Sequence, residues 1–69
     1  MKENFAQRLK NLRWEKNIGQ IELSQAIGVS KGIISLWENE LREPKLNNLI
    51  ALAQYFQVSI DYLVGLENE

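Results

Sequence analysis

Apolar residues recur along this chain at helical spacing, and no stretch shows the alternation of a half-buried strand. Phe5, Leu9 and Leu12 make one stripe of a helix predicted over Phe5–Lys16, with Asn4 as its N-cap. Arg8, Lys10 and Lys16 fall off that stripe and are expected in solvent. Asn17–Gly19 is a break from which Ile18 reaches back to the core. Further on, Leu46, Leu49, Ile50, Ala53 and Phe56 set one face of a helix over Leu46–Phe56. After the turn Gln57–Val58, Ser59 caps a last helix, with Asp61 suited to its first turn. Ile60, Leu63 and Val64 are its apolar positions, Gly65 its stop, and Leu66–Glu69 a frayed tail.

The middle of the chain, Gln20–Asn39, reads as helix, tight turn, helix. Leu23, Ala26 and Ile27 share one side, Gly28 breaks the pattern, and Ser30 offers its hydroxyl to a new helix start. Ile34 and Trp37 then resume the apolar face. Two short helices joined by a glycine-containing turn cross steeply, which is helix-turn-helix geometry. The polar loop Glu40–Lys45, interrupted only by Leu41 and closed by Pro44, follows. The expectation is an all-α, compact five-helix domain over residues 1–66, with 67–69 a flexible tail.

Composition narrows the chemistry. With 69 residues the chain makes one small domain. It has no cysteine and no histidine, so disulfides, thiolate metal sites and the commonest general base are missing. There is no phosphate-binding glycine motif and no metal-ligand cluster. No enzyme activity, cofactor, metal or small-molecule substrate is therefore expected. No apolar run approaches a membrane span, and Met1–Leu12 does not read as a signal peptide, so a cytoplasmic location is the default. Net charge is −1, but it is unevenly spread: residues 1–16 carry five basic side chains against two acidic, and residues 46–69 carry three acidic and none basic. Such asymmetry can orient a protein on a polyanion.

In a helix-turn-helix the second helix projects with one face uncovered, a shape that fits the major groove of DNA. Lys31, Gly32, Ser35 and Leu36 would lie on that face. Lys31 opposes the helix dipole, a cost that a guanine edge or phosphate would offset; the plain alternative is a solvated lysine. Gly32 weakens a helix by about 1 kcal/mol relative to Ala, which suits close approach of another surface or is simply tolerated. Ile33 and Leu36 are apolar where a solvated face would be polar, so at least one is expected in the open, over a thymine methyl or in dimer packing. Gln20 and Asn39 stand at the outer ends of the motif, where phosphates would pass, and Arg42 and Lys45 flank Pro44 nearby, opposed by Glu40 and Glu43. Trp37 belongs in the core, and Trp14 falls partly on the surface.

With RLKNLR (Arg8–Arg13), Gln20, IGVSKGIISLWEN (Ile27–Asn39), REPKLNNLIALA (Arg42–Ala53) and VSIDYLVG (Val58–Gly65) in this order, nearly the whole chain resembles the Cro and lambda-repressor-like helix-turn-helix proteins, the Xre family. The resemblance implies that Gln20 contacts the DNA backbone and buttresses the recognition helix. It makes Ser30, Lys31, Gly32, Ser35 and Leu36 the outward recognition positions, and gives Asn39 a phosphate. It implies an ion pair between Arg13 and Glu38. It also implies dimerisation near the C-terminus, for which Tyr55, Tyr62, Leu63 and Leu66 are the candidate surface. Three positions depart from the family pattern: Gly19 replaces the usual Thr or Asn, Glu40 the usual Gly, and Leu36 a polar base-reading residue. The expected function is a sequence-specific regulator of transcription, a repressor that binds double-stranded DNA as a homodimer through Gln20, Ser30, Lys31, Gly32, Ile33, Ser35, Leu36, Asn39 and Arg42. The alternative is a protein-interaction module that keeps the fold without binding DNA.

Overall fold

Local chemistry starts and stops each helix. The computed structural model describes residues 4–67 and contains α1 (Phe5–Glu15), α2 (Gln20–Ile27), α3 (Lys31–Glu38), α4 (Leu46–Phe56) and α5 (Ile60–Leu63). Asn4, Ser30 and Ser59 are the N-caps of α1, α3 and α5; each side chain accepts a backbone N–H, from Gln7, Ile33 and Tyr62. Gly19 at the start of α2 has no side chain with which to do this.

All five helices end against a residue in the left-handed region: Asn17 (φ 62°), Gly28 (φ 78°), Glu40 (φ 62°), Gln57 (φ 58°) and Gly65 (φ 89°). An apolar residue follows each. Its N–H returns to a carbonyl of the last turn: Ile18 to Arg13 at 3.1 Å, Val29 to Ser24 at 3.0 Å, Leu41 to Leu36 at 2.9 Å, Val58 to Ala53 at 3.0 Å and Leu66 to Asp61 at 2.8 Å. These are Schellman-type endings, which satisfy carbonyls the helix leaves open. Ile18, Val29 and Val58 go on to pack against the core, whereas Leu41 and Leu66 lie in solvent.

Every helix contributes to one core: Leu9 and Leu12 from α1, Leu23 from α2, Ile34 and Trp37 from α3, Leu52 from α4 and Leu63 from α5. Phe5 meets Trp37 edge to face, with ring centroids 6.2 Å apart. The helix-turn-helix pair α2–α3 packs against α1 on one side and α4 on the other, and α5 bridges α4 and α1.

Packing overrules the expected faces at several positions. Arg8 is buried rather than solvated, because α5 docks on the flank of α1 that carries it. Its guanidinium lies 4.1 Å from the centre of the Tyr62 ring, and its Nη1 donates to the Tyr62 carbonyl at 3.2 Å. A cation is thereby placed at the C-terminal end of α5, a helix too short to stand alone. On α2 the buried partner of Leu23 is Ser24, not Ala26, which is exposed. Ser24 returns its hydroxyl to the Ile21 carbonyl at 2.7 Å. On α4 the inner stripe is Leu49, Leu52, Ala53 and Phe56, so Leu46 and Ile50 turn outward at 65% and 41% exposure. Leu63 is fully buried and Tyr62 is half covered, which removes both from the open surface proposed for dimerisation; Val64 is exposed instead. Trp14 is exposed and Trp37 buried, as the pattern implied. At the chain end, the Ser59 hydroxyl donates to Glu67, and residues 68–69 of the expected tail lie outside the described residues.

Candidate nucleic-acid interface

The eight residues of α3 divide by their surroundings. Ile34, Trp37 and Glu38 are buried. Lys31 and Gly32 are exposed, together with the flanking Ser30 and Asn39. Ser35, Leu36 and Ile33 are half-buried. The expectation that Ile33 or Leu36 stands fully in the open does not hold, because Ile33 packs against the core beside Ile34. Lys31 is the single charged side chain between Ser30 and Trp37, so the outer face is otherwise neutral.

The position of this helix is set from below by one buried carboxylate. Glu38 Oε2 accepts from Arg13 Nε at 2.8 Å, and Oε1 accepts from Arg13 Nη2 at 2.9 Å and from Gln20 Nε2 at 3.1 Å. Arg13 Nη1 donates to the Ile18 carbonyl at 3.1 Å. The hydrogen bond to Glu38 raises the pKa of Arg13 above its ordinary value, burial opposes this, and the charge of Glu38 adds to it. A bidentate, charge-assisted pair has fixed geometry. Three helices therefore converge on Glu38, and the last turn of α3 is locked to the end of α1 and the first residue of α2.

This network defines what the flanking residues have left to offer. One N–H of the Gln20 amide is committed to Glu38, and the amide carries a second. Asn39 Nδ2 donates to the Ser35 carbonyl at 2.8 Å and to Ser35 Oγ at 3.3 Å. To donate elsewhere, Asn39 must exchange these bonds. Arg42 and Lys45 are exposed in the α3–α4 loop. Glu40, beside Asn39, accepts from Asn4 Nδ2 at 3.0 Å, which ties this loop to the start of α1. The structure thus brings Ser30, Lys31, Gly32, Ser35, Leu36 and Asn39 onto one helix and its ends, with Gln20 braced beneath. Arg8 and Ser24 were not anticipated as structural polar residues. The small Ser24 between Leu23 and Ile27 was the available signal; for Arg8 the sequence holds none, since its partner lies in α5.

A family profile described as helix-turn-helix matches residues 9–63 of this chain. The chain belongs to the Cro/C1-type helix-turn-helix family. Among its relatives, an uncharacterized HTH-type transcriptional regulator of Bacillus subtilis, YobD, is 34% identical over 65 residues, covering 94% of this chain and 58% of that protein. Repressor protein C2 of Salmonella phage P22 is 40% identical over 60 residues, covering 87% of this chain and 28% of the repressor. This helix-turn-helix chain thus spans only part of the length of these relatives. Its fold superposes on the P22 c2 repressor in complex with a synthetic operator with a TM-score of 0.88 and 35% identity, over 94% of this chain and 98% of that one. The N-terminal DNA-binding domain of SinR from Bacillus subtilis gives a TM-score of 0.83 at 30% identity, over 94% and 96%. Among the described residues, no helix is long and apolar enough to cross a membrane, and no group of three or more His, Cys, Asp or Glu side chains could hold a metal ion.

Proposed function

We propose that this chain is a sequence-specific double-stranded-DNA-binding regulator of transcription, acting as a repressor by occupying an operator. The observation that carries the reading is the presentation of α3. Its inner face is locked through Glu38, and its outer face is neutral apart from Lys31 and open at the N-terminal turn. A helix held this rigidly can enter a major groove in one orientation. Lys31 then meets a base edge, with Ser30, Gly32, Ile33, Ser35 and Leu36 around it, while Gln20, Asn39 and Arg42 meet phosphates and set the register. The family relation and the likeness to a repressor bound to its operator support the same reading.

One such domain covers little DNA. Two copies reading half-sites about one helical turn apart, roughly 34 Å, supply the missing affinity. The apolar side chains left open on α4 and at the end of α5 (Leu46, Ile50, Val64 and Leu66) are the surface this reading assigns to self-association. It works in the cytoplasm, on DNA, without a catalytic step or a cofactor.

Selection of bound sequences from a random duplex library, followed by titration of the enriched duplex at 50 and 200 mM salt, tests the proposal. A palindromic winner is expected, weakened at least about tenfold by the higher salt and further by Lys31→Ala. If no sequence is enriched and weak binding to every duplex ignores both changes, the reading falls, and the protein-interaction module takes its place.

A further inference from the structure

A buried cation joins α1 to α5. Arg8 is 4% exposed and grips Tyr62 twice: its guanidinium lies over the ring at 4.1 Å, and Nη1 donates to the carbonyl at 3.2 Å. One contact is to the side chain and the other to the main chain of the same residue, so together they fix both the rotation and the place of α5 on α1. The carbonyl does not depend on this cation, because it also accepts from the Gly65 N–H at 3.1 Å. Burying a charge carries a desolvation cost that an apolar side chain of similar length avoids, and what such a group secures best is a single geometry rather than stability. α5 has four residues, too few to hold a position alone. Val64 and Leu66, part of the surface assigned above to self-association, follow it directly and are open at 37% and 66%. About 7.5 Å further along α1, Arg13 holds Glu38 of α3 at 2.8 and 2.9 Å. α1 is thus pinned by one arginine to the helix read above as meeting DNA, and by another to the segment read as meeting a second copy.

Two copies on one operator must hold their α3 helices at a set distance and rotation, because half-sites are spaced along a helical duplex. That relation runs from α3 through α1 and α5, across the contact, and back through the same elements of the second copy. An error in the seat of α5 therefore enters twice. We propose that Arg8 is a positioning residue for half-site spacing: by seating α5 on α1 it sets where the self-association surface stands relative to α3, while itself lying buried away from DNA. This rests on the DNA-binding and self-association readings above.

The test compares three duplexes: the palindrome enriched by selection, the same palindrome with one base pair inserted at its centre, and a single half-site. The insertion turns one half-site by about 35° against the other. Wild type is expected to bind the inserted duplex at least about tenfold more weakly than the palindrome, because the second copy no longer fits. Arg8→Met, which keeps an unbranched stem, is expected to bind the single half-site within about twofold of wild type. Its affinity for the palindrome is expected to fall about tenfold, with the two spacings within about threefold of each other. Arg8→Lys offers a point charge in place of a planar fork and is expected to lie between. Spacing preference is the deciding readout, since a plain loss of folded protein lowers binding at both spacings in the same proportion. The assignment is overturned if Arg8→Met keeps the wild-type preference or, should that variant not fold, if Arg8→Lys keeps it in full. Failure of the underlying readings shows in wild type itself: no palindrome is enriched, or the inserted duplex binds as well as the palindrome, and the assignment then falls with them.

Discussion

The two sides of α3 follow opposite rules. Beneath it, Arg13, Gln20 and Glu38 meet in a network in which both carboxylate oxygens are used and the arginine fork is spent on one carboxylate and one carbonyl. Around its outer face, local preferences are repeatedly set aside. Gly32 weakens the helix without a packing reason, and Glu40 holds a left-handed backbone that glycine would adopt freely. Lys31 opposes the helix dipole, and Gly19 leaves α2 without a side-chain cap. The inner side is arranged for a single geometry. The outer rim leaves stability unclaimed, as surfaces that meet a ligand do.

Breaking the inner side has the largest consequence. Arg13→Ala leaves the Glu38 carboxylate buried with only Gln20 as partner, and a loss of about 3–5 kcal/mol is expected, a large share of the stability of a domain this size. Thermal melting followed by circular dichroism measures it. Replacing Arg13 and Glu38 together by Met is expected to recover most of the loss, which would show that the pair specifies the position of α3 more than it stabilises the chain. Because the folded-state pKa of Arg13 is raised, its contribution is complete below the unfolded value and fades only as pH climbs through the folded one. Melting across the neutral range is therefore not expected to move through this group.

The outer face answers to different readouts. Lys31→Ala is expected to weaken binding to the selected duplex by about 10- to 100-fold, with a melting temperature unchanged or slightly higher. A loss of stability instead would assign Lys31 to the fold. Glu40→Gly removes a left-handed non-glycine residue and is expected to stabilise the domain by about 1 kcal/mol. It also takes a negative charge from beside Asn39, so DNA affinity should rise in the same variant. If stability falls, the Asn4–Glu40 hydrogen bond outweighs the backbone term. The smallest effect belongs to Gly19→Ser, a few tenths of a kcal/mol of added stability from one restored cap, measurable by chemical denaturation.

The comparison also separates what reading the chain could reach from what it could not. Asn4, Ser30, Ser59 and Gly65 announce helix limits because caps act between residues three to five apart, so the whole interaction is written in one short stretch. The outward set on α3 was legible for the same reason: Ile34 and Trp37 fix which side is inner, and Lys31 and Gly32 fall opposite. Ile33 escaped this logic, since its burial depends on what stands beside the helix rather than on its own period.

By itself, the sequence determined five helices, their limits, the helix-turn-helix and the family. Each of these rests on short-range backbone chemistry or on apolar spacing within one element. Only the tertiary structure decided that Arg8 is buried against Tyr62, that Leu52 rather than Leu46 or Ile50 faces inward, and that Gln20 is spent partly on Glu38. It alone decided that Gly32 answers to no demand of the fold. These outcomes depend on which helix covers which flank, and that is settled by residues up to 54 positions away in the chain.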